Sequence, residues 1–183
     1  YAFFGIVLNQ ILFAEGLART TPSHSAILNS LIPVMTLGFA LLARHEGVTR
    51  LQVLALGVSL ASVLVLLRVE NFRLEDQWVA GALLTLANGA SFSLYLVISR
   101  NAMRRMDPIG AITWILGFGA VGILAFGAPV LLRVDYAAVP LRFWALAAYA
   151  IVFATVLAYA LNAYALAHTD SSMVALFIYL QPP

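Results

Sequence analysis

LFAEGLARTTPSHSAILNSLIP at residues 12–33 and LNAYALAHTDSSMVALFIYLQP at residues 161–182 decide how this chain is read. Laid over each other at an offset of 149 residues, they agree without a gap at nine of 22 positions. The identities are Leu12/Leu161, Ala14/Ala163, Leu17/Leu166, Ala18/Ala167, Thr20/Thr169, Ser23/Ser172, Ala26/Ala175, Leu31/Leu180 and Pro33/Pro182. Both segments hold the end of one apolar run, a short polar turn and the start of the next. The plainer reading is that any two helix–turn–helix pairs in lipid look alike. Agreement at this density on matching architecture favours an internal repeat.

The surroundings of the two segments place them in a membrane. Of 183 residues, 63% are hydrophobic and 10% charged, and mean hydropathy is +0.96. A soluble domain has about 45–50% apolar and about 25% charged residues. This chain lacks the polar surface to cover a water-soluble globule, which excludes a cytosolic enzyme, a nucleic-acid binder and a disordered tail. Ten Arg stand against eight acids, with no Lys. So small an excess on so apolar a chain bears on membrane orientation rather than on DNA. Cys is absent, so no disulfide framework or Cys-based metal site is expected.

A hydrocarbon core of about 30 Å needs about 20 apolar residues per helix. Seven runs qualify: 1–18, 24–43, 51–67, 78–99, 109–132, 143–167 and 171–183. Charged and turn-forming residues separate them, and period-two alternation is too weak for a β-barrel. The repeat sets span one against span six and span two against span seven, a period of five helices. Five is odd, so the copies enter the membrane in opposite orientations. Inverted repeats of this kind mark secondary transporters, whose site lies near the midplane between the copies.

The run opens without Met inside an apolar stretch and stops 13 residues into a span. The sequence is therefore read as a piece of an all-α polytopic membrane protein, a 5+5 inverted-repeat bundle of ten helices. About seven are present: helices 3–5 of the first repeat at 1–68, a connecting loop at 69–77, and helices 1–4 of the second at 78–183. Arginines divide five against five between the two sets of loops, so charge does not settle orientation. The densest cluster, Arg100, Arg104 and Arg105, places its side weakly in the cytoplasm.

The run Asn9-Gln10-x-Leu12-Phe13-x-x-Gly16-Leu17-x-x-Thr20, followed by Ala26, Pro33 and Glu46, resembles the EamA type of the drug/metabolite transporter superfamily. Gly57, Gly81, Tyr95, Arg100, Ala165-Leu166 and residues 172–182 fit the same pattern in order and spacing, and the resemblance covers the whole chain. The Asn-Gln-x-Leu-Phe run is also similar to plant nodulin-like amino-acid exporters. The resemblance implies a ten-helix exporter of small metabolites in the cell (inner) membrane, with alternating access, a central cavity and both termini cytoplasmic. That puts loops 44–50 and 100–105 inside, in agreement with the charge cluster. Family substrates range over amino acids, nucleosides, sugar phosphates and drugs, and fold does not choose among them.

Polar side chains at membrane depth face the bundle interior or a wet cavity. Asn9 lies ten residues before Arg19, about 15 Å along a helix axis and close to mid-bilayer. Asn88, Ser91 and Tyr95 share one helical face, as do Thr155, Tyr159 and Asn162. Ser25, Asn29 and Pro33 repeat at every fourth position. Together with Gln10, these stripes are candidates to line a solute pathway: Asn9, Gln10, Asn29, Asn88, Ser91, Tyr95, Thr155, Tyr159 and Asn162. Each residue alone reads more readily as interhelical glue, worth about 0.6 kcal/mol on average. The cavity rests on the set. Pro33 and Pro182 occupy matching places and are hinge candidates, with a tolerated kink as the alternative. Gly110, Gly117, Gly119 and Gly122 permit close helix approach and read as packing rather than a specific dimer motif.

Glu15 is the one carboxylate placed inside a span. It is a candidate for ion coupling, although it sits four residues before Arg19 and reads more simply as half of an interfacial ion pair. Glu46 reads as an anchor for the 44–50 loop. The expected partners are a small-molecule substrate and the lipid bilayer, with a homodimer left open and nucleic acid excluded. No cofactor, metal site or catalytic residue is expected. His24, His45 and His168 are isolated, without the spacing a metal helix needs. An aspartyl protease needs two apposed acids at depth, and only Asp170, near an interface, comes close. No Gly-x-Ser-x-Gly elbow occurs. An intramembrane enzyme, a channel subunit and a structural bundle are the rival readings, and none has a motif of its own. If the repeat is inverted, reporter tags at Arg44 and Arg105 appear on one side of the membrane, and a tag at Asp135 on the other.

Overall fold

A computed structural model describes residues 1–43, 49–66 and 76–180. Arg44, Glu46, most of the connecting loop and the hinge candidate Pro182 lie outside the described residues. Among the described residues the chain is all helical, without a strand. Seven helices follow one another: α1 (Phe3–Leu17), α2 (Pro22–Leu42), α3 (Arg50–Leu66), α4 (Asp76–Arg105), α5 (Pro108–Leu131), α6 (Leu141–His168) and α7 (Ser171–Leu176, tightening into a 3-10 turn at Phe177–Leu180). In α2, α4, α5 and α6 the apolar stretches Pro22–Leu42, Trp78–Arg105, Pro108–Leu131 and Leu141–His168 are each long enough to cross a bilayer. The chain is a multi-pass membrane protein.

Local chemistry sets the helix starts. Thr21 has the extended backbone of an N-cap, and its hydroxyl accepts from the His24 amide at 3.2 Å, with Pro22 in the first turn. Asp107 caps α5 in the same way, accepting from the Gly110 amide at 2.6 Å, again with a proline next. Each proline sits where its missing N–H costs nothing. Pro33 does not. Having no N–H, it cannot serve the Asn29 carbonyl one turn back, and α2 is interrupted at Ser30–Leu31 between its halves Pro22–Asn29 and Ile32–Leu42.

The repeat runs deeper than the sequence identities. Helix α1 opens with wide π-helical turns at Phe3–Leu8, and α6 has them at Ala150–Leu157. At the 149-residue offset the first falls inside the second. The 3-10 bond from the Leu31 amide to the Leu28 carbonyl, 3.1 Å, falls on the 3-10 turn Phe177–Leu180. Equivalent helices thus widen and tighten at equivalent residues.

Helix α4 is the axis, with α1, α2, α5, α6 and α7 packed around it. The two repeat-equivalent turns meet it at opposite ends. A Cβ on Gly81, near its start, would lie 2.5 Å from the Arg19 carbonyl oxygen, so the α1–α2 turn rests directly on this glycine. Arg100, near its end, donates from Nε to the Thr169 carbonyl at 3.3 Å and pairs with Asp170 in the α6–α7 turn. Nineteen residues separate Gly81 from Arg100, about 28 Å along the axis. Thr20 and Thr169 therefore lie at opposite ends of the bundle, as an inverted repeat requires.

Glycine lets α5 approach α1. A Cβ on Gly119 would sit 2.5 Å from Ile6 Cγ2, and one on Gly122 2.5 Å from Val7 Cγ2. The outer faces of α5 and α6 carry Trp114, Phe118, Val121, Phe143, Leu146 and Phe153, all exposed. In water such a surface would be costly; in hydrocarbon it matches its solvent. Gly81→Ala should lower detergent-solubilised stability by about 1–3 kcal/mol, because the clash is with backbone. Gly117, with open space around its Cβ position, should accept Ala with no loss in the same thermal melt.

Candidate functional site

Carbonyls in the π-helical turns of α1 also accept from side chains of other helices. Ser91 Oγ of α4 donates to the Phe4 carbonyl at 2.8 Å. Tyr159 Oη of α6 donates to the Gly5 carbonyl at 2.9 Å. One turn on, Asn88 Nδ2 donates to the Asn9 carbonyl at 2.8 Å, and Asn9 Nδ2 returns a bond to the Asn88 carbonyl at 3.4 Å. These contacts lock α1 between α4 and α6. Asn9, Asn88 and Ser91 are buried in the α1–α4 joint.

Beside this joint is a cavity of about 430 Å³ between α1, α5 and α6. Gln10, Glu15, Thr155 and Tyr159 supply its polar groups, and Ile6, Ile11, Ile123 and Phe126 its apolar walls. At the repeat offset Gln10 is the counterpart of Tyr159. The two copies therefore contribute equivalent positions to one space. A second cavity of about 240 Å³ lies between α4, α6 and α7, lined by Phe92, Tyr159, Asn162, Val174 and Phe177. Tyr159 borders both. Its hydroxyl proton is committed to Gly5, which leaves the oxygen as an acceptor.

The stripe Thr155–Tyr159–Asn162 is thus divided, with Thr155 at the larger cavity and Asn162 at the smaller. Asn162 Oδ1 is buried and makes no hydrogen bond among the described residues. Tyr95 is fully buried, its ring centroid 6.4 Å from Tyr159 and 5.9 Å from Phe92. It fills the hollow over Gly5, where a Cβ would lie 2.5 Å from the ring. Asn29 lies at the break in α2, and its Oδ1 likewise is buried and makes no hydrogen bond among the described residues. Pro33 is buried beside it; the adjacent Ile32 carbonyl takes hydroxyls from Thr36 at 2.9 Å and Ser93 at 3.1 Å. Glu15 reaches the cavity rim and pairs with the half-exposed Arg19. Phe92 and Phe126 line the cavities although a search for polar stripes passes over them. A signal existed: each lies at helical spacing from a polar or glycine position, Phe92 four residues after Asn88 and Phe126 four after Gly122.

Apolar walls with a few converging polar groups suit an amphiphilic small molecule. The tyrosine oxygen and the Gln10 carbonyl can accept from an amine or amide, and the Gln10 amide and Thr155 hydroxyl can donate to a carboxylate or carbonyl. Among the described residues no His, Asp or Glu cluster suited to a metal occurs.

The sequence profile of the EamA-like transporter family matches residues 1–68 and 79–182. Over 182 residues the chain is 26% identical to "Uncharacterized transporter YyaM" of Bacillus subtilis (strain 168), covering 97% of this chain and 59% of that protein. The chain thus spans about three fifths of the length of the curated relative it matches. A chain of known crystal structure superposes with a TM-score of 0.74 at 20% identity, over 98% of this chain and 60% of that one. The two share a fold.

Joint and cavity residues should separate by experiment. Asn88→Leu and Ser91→Ala each remove a side-chain donor that ties α4 to an α1 carbonyl and should cost about 0.6–1.7 kcal/mol in a thermal melt. Thr155→Val, on the cavity wall, should leave the melt unchanged.

Proposed function

The chain belongs to the EamA-like transporter family, and from that premise we propose that the intact protein is a secondary transporter of the cell (inner) membrane that exports a small amino-acid-like or drug-like metabolite by alternating access. One observation carries the reading: Gln10 and Tyr159, at equivalent positions of two oppositely oriented copies, border the same cavity of about 430 Å³. A site shared by inverted copies has two near-equivalent ways to be closed, one by each copy. Rocking one copy against the other exchanges them around a fixed solute.

The cavity supports the substrate class. Its volume suits a molecule of roughly amino-acid to drug size. Ile and Phe side chains contact the apolar part, while Tyr159, Gln10 and Thr155 orient a polar head. Glu15 favours an amine at the rim, although its pairing with Arg19 weakens that preference. The family and the curated relative both carry the name of transporter, which supports transport over intramembrane catalysis.

Cells expressing the full-length protein and loaded with a metabolite library should release one class faster than cells carrying the empty vector. Equal release of every compound would count against export. For the compound found, Tyr159→Phe should weaken apparent affinity about tenfold, the worth of one hydrogen bond of about 1.4 kcal/mol, compared at matched membrane abundance because the same hydroxyl also bonds the Gly5 carbonyl.

A further inference from the structure

We propose that Arg100 and Asp170 form an ionic lock that closes the pathway at the C-terminal end of α4. The proposal rests on the alternating-access reading. The pair joins the end of the central helix to the turn between α6 and α7, so separation of these elements must break it. The larger cavity runs from Ile6 and Tyr159 towards Glu15, Phe126 and Gly127, and so towards the opposite end of the bundle. In this structure the charged contact sits at the end away from the cavity.

Three features distinguish this contact from a surface ion pair. Arg100 is buried, its side chain 9% exposed, whereas that of Asp170 is 38% exposed. The guanidinium also donates to the Thr169 carbonyl of the same turn, so it grips the turn at two points. Finally, Asp170 holds the N-cap position of α7 with the extended backbone of a cap, φ −80° and ψ 148°, yet its side chain makes no cap hydrogen bond. In the first copy the same register holds Thr21, whose hydroxyl does cap its helix. Aspartate is among the best N-cap residues, and here it faces Arg100 instead.

The Asp170 carboxylate therefore has two competing partners: Arg100 when the end is closed, and the amides at the start of α7 when the end is open. A carboxylate with a second partner in reach leaves the first without being stranded. This makes a two-state element whose balance sets which end of the bundle is open. The first copy has no acid at the matching turn. Its contact with α4 is the uncharged seat of Arg19 and Thr20 on Gly81. The two turns meet α4 by different chemistry.

The test uses the full-length protein in membrane vesicles, with single cysteines as reporters and any other cysteine replaced by serine. Ser99→Cys and Ser171→Cys flank the lock at fully buried positions, and Thr20→Cys reports the opposite end. With the lock intact, a membrane-impermeant thiol reagent added from the α4 C-terminal side should label the two reporters beside the lock slowly. Asp170→Asn removes the charge that Arg100 meets in the α6–α7 turn and so weakens the hold of α4 on that turn. It should raise both of those rates at least about fivefold and leave labelling of the Thr20→Cys reporter unchanged or slower. Arg100→Gln, which removes the same ion pair from its other side, should raise the same two rates. The exchanged pair Arg100→Asp with Asp170→Arg should restore slow labelling. Unchanged rates in an Asp170→Asn protein that elutes as a single species would overturn the lock. So would a rise at all three reporters, which would mark the pair as a general structural anchor. Labelling needs no substrate, so a failed export screen and a failed lock are separate results.

Discussion

In hydrocarbon there is no water to complete a hydrogen bond, so a polar group buried there without a partner inside the protein is costly. The hydroxyls of Ser91 and Tyr159 and the amide of Asn88 meet that constraint by donating to the carbonyls of Phe4, Gly5 and Asn9 on α1. Each bond is modest alone. Together they set the rotation and register of α1 between α4 and α6, because a shift of one residue would leave both donors and acceptors unpaired. The apolar contacts that follow, Tyr95 over Gly5 and Ile6 against Gly119, depend on that register.

The same constraint explains why the cavities are where they are. Tyr159 reaches across to the Gly5 carbonyl and in doing so partitions the space around α6. On one side is the volume shared with α1 and α5, on the other the smaller one against α4 and α7. A side chain that holds two helices together is also the wall of two cavities. Movement of α6 relative to α1 would therefore change a structural bond and the shape of both cavities in one step.

The halves are alike in backbone and unlike in chemistry. π-Helical turns and 3-10 turns recur at the repeat offset, so the copies bend at matching places. Their turns meet α4 differently: a glycine seat at one end, a buried guanidinium at the other. On the proposed alternating-access reading, symmetry of shape would make two states similar in energy, and asymmetry of contact would set which of them the protein rests in.

The repeat, the oppositely directed halves and the membrane class were all legible in the order of residues. Composition and helix counting depend on local properties that no tertiary contact alters. Helical spacing also told which polar residues share a face: Asn88 with Ser91, and Thr155 with Tyr159 and Asn162. What it could not tell was the neighbour each face meets. Asn88 and Ser91 meet the carbonyls of α1 and are buried in a joint, while Thr155 and Asn162, on a single stripe, border different cavities. The pairing of Arg100 with Asp170 was likewise invisible, since 70 residues separate them along the chain. Periodicity fixes an angle around one helix axis. The partner at that angle depends on how several helices pack together, and only the tertiary structure decided it.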